Sequence, residues 1–208
     1  MKKIFIPVVS KLNNLPETFS SFLNGLPNEI ALFYSIQFKD LAEEILLKLN
    51  SKKSISFISQ VLGCSKPKIP RKTEAILLVG NGRFHAISLS YESKLPVYLY
   101  DNGNFVKITK NEVDKLISME KAAFLNYLSS EKVGILVSTK PGQERLKKAL
   151  EFKESLENKK GYIFISNEIN ASEFENFSLR SYVNTACPRM DLVSPKIINL
   201  SKLNELKS

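Results

Sequence analysis

The chain has 208 residues, 43% of them hydrophobic and 25% charged, with 8 glycines and 9 prolines; this is globular composition and excludes a disordered or fibrous chain. Domains usually run about 100 to 150 residues, so one large core or two small ones both fit. The net charge of +9 suits a partner with a negative surface or simply a solvated lysine-rich face, and no basic cluster is long enough or interleaved with aromatics to mark direct nucleic-acid binding.

The opening "MKKIFIPVVSK" has the lysines of a signal peptide, but its apolar run is short and neither a cleavage site nor an 18-residue apolar span follows. It reads as a first strand in a soluble, cytoplasmic protein with no membrane segment. Next come a helix over "LPETFSSFLNGL", a strand at "EIALFYSI" and a helix over "QFKDLAEEILLKLNSK". In that helix Phe38, Leu41, Ile45, Leu46 and Leu49 form one apolar stripe opposite Lys39, Glu43 and Lys48. "SISFIS", "EAILLVG" and "LPVYLYD" are apolar and β-branched enough for strands, and "NFVKIT" follows a turn at "DNGN".

From about Asn111 the helix "NEVDKLISMEKAAFLNYLSS" leads into a second cycle: strand "VGILVST", helix "GQERLKKALEFKESLENK", strand "GYIFIS" and strand "RSYVNTACP". Both cycles run strand, serine, turn with glutamine, helix, lysine-rich turn, and strand ending in "FIS". Chance similarity of two βαβ units competes with an internal duplication. The expected fold is α/β, with two similar small domains at 1–111 and 112–208, each a mainly parallel sheet flanked by helices.

Ligands of open α/β sheets sit beyond the carboxyl ends of the strands, and the special residues of this chain fall there. "GNGRFH", residues 80 to 85, follows a strand and carries Gly80 and Gly82, the first two glycines of a dinucleotide fingerprint; His85 stands where the third would be, which argues against a nicotinamide site. His85, the one histidine, is either a ligand-site residue or a hydrogen-bonded structural one. "STKPGQ", residues 138 to 143, is either an anion-binding strand-to-helix turn ending at Gln143 or an ordinary polar turn. Cys64 and Cys187, the two cysteines, end segments that match between the cycles, in "LGCSKP" and "TACPRM". Two thiols are too few for a closed zinc site, and they are either buried structural cysteines or ligands completed from elsewhere.

Together "QVLGCSKPKIPRKTEAILLVGNGRFHAISLS", "PVYLYD", "GILVSTKPGQERL" and "VNTACPRMD", with "YSIQF" upstream, resemble the family of the first step of diphthamide biosynthesis, 2-(3-amino-3-carboxypropyl)histidine synthase. The resemblance implies three related α/β domains, each giving one cysteine to a [4Fe-4S] cluster that binds S-adenosylmethionine, without the CxxxCxxC loop of other radical enzymes. Reductive cleavage of the Cγ–S bond then delivers a 3-amino-3-carboxypropyl group to a histidine of translation elongation factor two. Carried over by position, it implies Cys64 and Cys187 as cluster ligands, and Gly80, Gly82, Arg83, His85 and Gln143 around the cofactor. Pro188 and Arg189 follow the second cysteine as the family pattern has them.

The chain matches only the family's second and third domains, and the first domain's cysteine has no counterpart in it. It is therefore expected to act as part of an iron-sulfur transferase, inactive alone, with a homodimer partner or another subunit supplying the third cysteine. The alternatives are a non-catalytic accessory subunit that binds elongation factor two or a full-length homologue, and an unrelated α/β nucleotide-binding protein.

Overall fold

Along β1 (Glu29–Tyr34) the side chains alternate between two cores: Ile30 and Leu32 pack on one side of the sheet, Ala31 and Phe33 on the other. A strand covered on both faces has no solvent face to make polar, which is why "EIALFY" is an almost unbroken apolar run. The computed structural model describes residue 15 and residues 18–61, 68–101, 103–186 and 194–207. The chain divides into two units, Met1–Val113 and Asp114–Ser208.

In the first unit β1 is joined by β2 (Ser54–Gln60), β3 (Ala75–Val79), β4 (Val97–Asp101) and β5 (Asn104–Lys107) in the order β2-β1-β3-β4-β5. All neighbours are parallel except β4 and β5. That antiparallel pair is closed by a short turn in which Gly103 takes φ 84°, the positive value that tight hairpin turns favour.

Helices α1 (Phe19–Gly25) and α2 (Lys39–Asn50) cover one face, where Leu23, Leu41, Ile45 and Leu49 meet Ile30, Leu32, Leu77 and Val79. The buried residues of α2 recur at the helical period, and Asp40 in its first turn and Lys48 in its last suit the helix dipole. Helix α3 (Arg83–Ser93) covers the other face through Ala86 and Leu89.

The long helix α4 (Lys110–Ser129) begins at the end of the first unit and continues into the second, followed by β6 (Lys132–Ser138), α5 (Leu146–Glu154), β7 (Lys160–Ser166), β8 (Ser181–Asn184), β9 (Ile197–Asn199) and α6 (Leu200–Lys207). The sheet order is β7-β6-β8-β9, with every pairing parallel. Tyr127 of α4, Ala149 and Phe152 of α5 and Leu203 of α6 bury one face against Val133, Ile135, Val137 and Val183. The other face is aromatic: Phe164, Phe174 and Tyr182 pack edge to face or tilted, with ring centres 5.2 to 6.1 Å apart. Gly134 makes room for this cluster, because a Cβ there would lie 2.2 Å from Tyr182 Cδ1.

Both units thus have mainly parallel sheets flanked by helices, as expected from the sequence. Three elements were not foreseen: α3, β9 and α6. The expected first strand at "KIFIPVV" lies outside the described residues. The assignment of Cys64 and Cys187 to matching points also needs correction. The segment carrying Cys64 follows β2, an edge strand, whereas the one carrying Cys187 follows β8. In strand order β8 corresponds to β3, so the first unit's counterpart of the Cys187 segment is the Gly80–Gly82 turn. Each unit contains a βαβ arrangement, and the two cysteine segments follow different strands of it.

Candidate functional site

In each unit the strand order reverses once, and the carboxyl edge at such a reversal is where open α/β sheets bind their ligands. In the first unit the reversal lies between β1 and β3, whose chains leave toward β2 on one side and β4 on the other. The edge is tightly tied there: Ser35 N donates to Val79 O at 3.1 Å, Gly80 N to Tyr100 O at 3.1 Å, and Val61 N to Tyr34 O at 2.8 Å. Gly80 is fully enclosed, and a Cβ on it would lie 2.2 Å from Ser35 Oγ. Gly82 takes φ 113° and precedes the first residue of α3, a backbone conformation that side chains strongly disfavour. These two glycines answer the sequence motif physically: one permits close approach of two strand ends, the other a sharp entry to a helix.

Arg83, the next residue, engages Glu112 through one edge of its guanidinium. Nε donates to Oε1, and Nη2 donates to Oε2 at 3.1 Å. Glu112 Oε2 also accepts Thr109 N at 2.9 Å and Thr109 Oγ1 at 2.7 Å. Hydrogen bonding from Arg83 first, then from Thr109, overcomes the opposing effect of burial and lowers the Glu112 pKa to about 2; the Arg83 pKa is raised by the same bond. His85 is partly buried in the first turn of α3, its N–H donating to Gly82 O at 3.1 Å and its ring set edge-on to Phe84 at 5.5 Å.

In the second unit the reversal lies between β6 and β8. Beyond β6, Lys140 to Gln143 form a turn with Gln143 N donating to Lys140 O at 3.0 Å and Gly142 at φ 83°, the proline-glycine pattern of a type II turn. Ser138 Oγ accepts Lys140 N at 3.1 Å and donates to Asn167 O at 3.3 Å. Lys140 Nζ pairs with Glu168 Oε1 at 2.8 Å, which lowers the Glu168 pKa.

Beyond β8, Thr185 donates through both N (3.0 Å) and Oγ1 (2.7 Å) to Leu136 O. Asn184 Nδ2 donates to Asn199 Oδ1 at 2.7 Å, while its Oδ1 accepts Ala186 N at 2.9 Å. Asn184, Thr185 and Asn199 are all buried, so the backbone is held by buried polar bonds up to the residue before Cys187.

The structure therefore sets Gly80, Gly82, Arg83 and His85 on one turn and Gln143 on a turn of the other unit. Cys64 and Cys187 lie outside the described residues, as do Pro188 and Arg189. Among the described residues, no group of three or more His, Cys, Asp or Glu side chains could hold a metal ion. Ser35, Glu112, Asn184 and Asn199 were not singled out from the sequence as site residues. "TKNE" carried a legible signal for Glu112, since Thr-x-x-Glu is a helix-capping pattern; the buried asparagines carried none.

The family model described as "Putative diphthamide synthesis protein" matches residues 1–196. The chain belongs to the diphthamide synthesis family. It is 28% identical over 207 residues to the 2-(3-amino-3-carboxypropyl)histidine synthase of Methanocaldococcus jannaschii, covering 92% of this chain and 56% of that protein. The crystal structure of Dph2 from Pyrococcus horikoshii superposes with a TM-score of 0.76 at 25% identity, covering 90% of this chain and 59% of the other. A structure of the same protein with a 4Fe-4S cluster gives a TM-score of 0.74 at 26% identity, over 91% and 60%. The resemblance drawn from the motifs thus holds at the level of the family and of the α/β fold. The chain spans about half the length of the diphthamide synthase relatives it matches. Among the described residues no helix is long and apolar enough to cross a membrane.

Proposed function

We propose that this chain provides the second and third domains of a 2-(3-amino-3-carboxypropyl)histidine synthase, acting in the cytoplasm on translation elongation factor two. Cys64 and Cys187 would hold a [4Fe-4S] cluster together with a third thiolate from outside these 208 residues. The donor set supports this sharing: the chain has two cysteines and one histidine, whereas such clusters are held by several thiolates. The cluster, when bound, supplies the electron that cleaves S-adenosylmethionine for transfer of its 3-amino-3-carboxypropyl group.

The chain's own residues bind and orient. The observation that carries the reading is the construction of the carboxyl edges. The described backbone enters both cysteine segments from strand ends fixed by hydrogen bonds at Val61 and Ala186, in a family whose solved relative carries the same type of cluster. Gly80 and Gly82 let the turn beyond β3 approach a ligand with backbone alone, His85 offers an imidazole beside that turn, and Gln143 ends the turn beyond β6 of the second unit. These residues would receive the methionine end of S-adenosylmethionine.

Anaerobic reconstitution with iron and sulfide, alone and with a candidate partner, tests this. The expected result is a weakly held, oxygen-sensitive cluster on the chain alone, a stable one with the partner, and loss of both in Cys64→Ala and Cys187→Ala. Failure to bind iron and sulfide under every condition would overturn the proposal. If diphthamide forms normally in cells carrying both cysteine variants but not in cells lacking the chain, the accessory-subunit reading replaces it.

A further inference from the structure

Glu112 makes two kinds of contact through one carboxylate. With Thr109 it forms a capping box, since Glu112 N donates to Thr109 Oγ1 at 3.4 Å and Glu112 Oε2 accepts from Thr109 N and Oγ1. With Arg83 it forms a two-point fork. The two partners belong to opposite ends of the sheet. Ile108 N donates to Val97 O at 2.9 Å, anchoring the start of α4 near the amino end of β4, while Arg83 begins α3 just beyond the carboxyl end of β3.

We infer that Glu112 is a positioning residue for the Gly80–Gly82 turn, acting through Arg83; the turn's place in cofactor binding rests on the function proposed above. Two glycines leave this turn with a single side chain of its own, that of Asn81, and it is exposed. On one side this turn is held by Ser35 and by the Gly80 N to Tyr100 O bond. Arg83 is the first side chain on its other side, and it reaches an acid already immobilised by the helix cap. An exposed Arg–Glu pair ordinarily contributes little because two flexible side chains must be ordered together. Here the cap has already ordered the carboxylate, whose side chain is 20% exposed, so only the arginine remains to be fixed.

Amide hydrogen exchange over residues 80 to 85 of the 208-residue chain, compared among three variants, separates this role from helix capping. Glu112→Gln and Arg83→Gln are expected to speed exchange about tenfold over that turn, whereas Thr109→Ala, which weakens the cap but spares the fork, changes it less than about twofold. Equal acceleration in Thr109→Ala and Glu112→Gln, or no acceleration in either fork variant, overturns the inference. In the reconstituted complex, Glu112→Gln is expected to raise KM for S-adenosylmethionine about tenfold with kcat nearly unchanged; an unchanged KM also overturns it. A wild-type protein that binds neither cluster nor S-adenosylmethionine counts against the proposed function, while the exchange comparison still decides the brace.

Discussion

Gly80 and Ser35 bring the ends of β3 and β1 so close that a side chain at position 80 would force Ser35 to shift: a Cβ there would lie 2.2 Å from Ser35 Oγ and 3.3 Å from Ser35 Cβ. Gly80→Ala is therefore expected to cost about 1–3 kcal/mol of stability by overpacking. Adding Ser35→Ala should recover part of the loss, because it removes the closer contact and leaves the longer one. Urea denaturation of both variants measures this, and a Gly80→Ala midpoint equal to wild type would show that the strand ends can separate freely.

Gly134 presents a more severe case. Its missing Cβ leaves space for Tyr182, whose hydroxyl is tied to Phe174 O at 2.7 Å, so the ring has little freedom to withdraw. Gly134→Ala should cost about 3 kcal/mol, and Tyr182→Leu in the same chain should lessen the penalty. Independent, additive losses in a double-mutant cycle would contradict the contact.

The pH dependence of the first unit should carry the mark of Glu112. Its pKa falls from an ordinary 4.5 to about 2 in the fold, so folding favours the ionised form. The resulting stabilisation is complete above about pH 4.5 and fades as the pH drops toward 2. Because Arg83 is about half exposed, solvent screening reduces the effect at neutral pH to about 1–2 kcal/mol. Urea titrations of wild type and Glu112→Gln between pH 7 and 3 should show their difference shrinking as acid is added; a constant difference would rule out this linkage.

Asn184 should matter more than its hydrogen-bond partner. Asn184→Ala removes both the donor to Asn199 and the acceptor for Ala186 N, whereas Asn199→Ala leaves the bond to Ala186 N in place. Losses of about 2–3 and 1–2 kcal/mol are expected. Amide exchange at Ala186 should rise in the first variant only. The reverse order of stabilities would mean that the two bonds to Asn184 do not act together.

Legibility in the sequence followed how strongly each segment's pattern was dictated by burial. The strands β1, β3 and β6 were plain because covering both faces leaves continuous apolar runs. The helix α2 was plain because its buried positions repeat at helical spacing. By contrast α3 buries chiefly Ala86 and Leu89 and carries Ser88, Ser90 and Ser93, so its amphipathic pattern is faint. The three residues of β9 are too few to show any period. At the candidate site the glycines and cysteines stood out by type. Glu112 meets Arg83 across 29 residues, and Asn184 meets Asn199 across 15; pairing at such range is set by topology, which local pattern does not encode.

The lone antiparallel pairing among the described strands has a consequence for the order of folding. β4 and β5 join across two residues, and hairpins of this kind form in about 1–10 μs. Every described strand pair of the second unit is parallel, so none of these can form until a long crossover has closed. Contacts between residues near in sequence are gained early and those between distant residues late. In pulse-labelled exchange during refolding, protection is expected in Val97–Lys107 before β6 and β8. The first unit would then begin from its edge hairpin, while the second must wait for collapse to bring its strands into register.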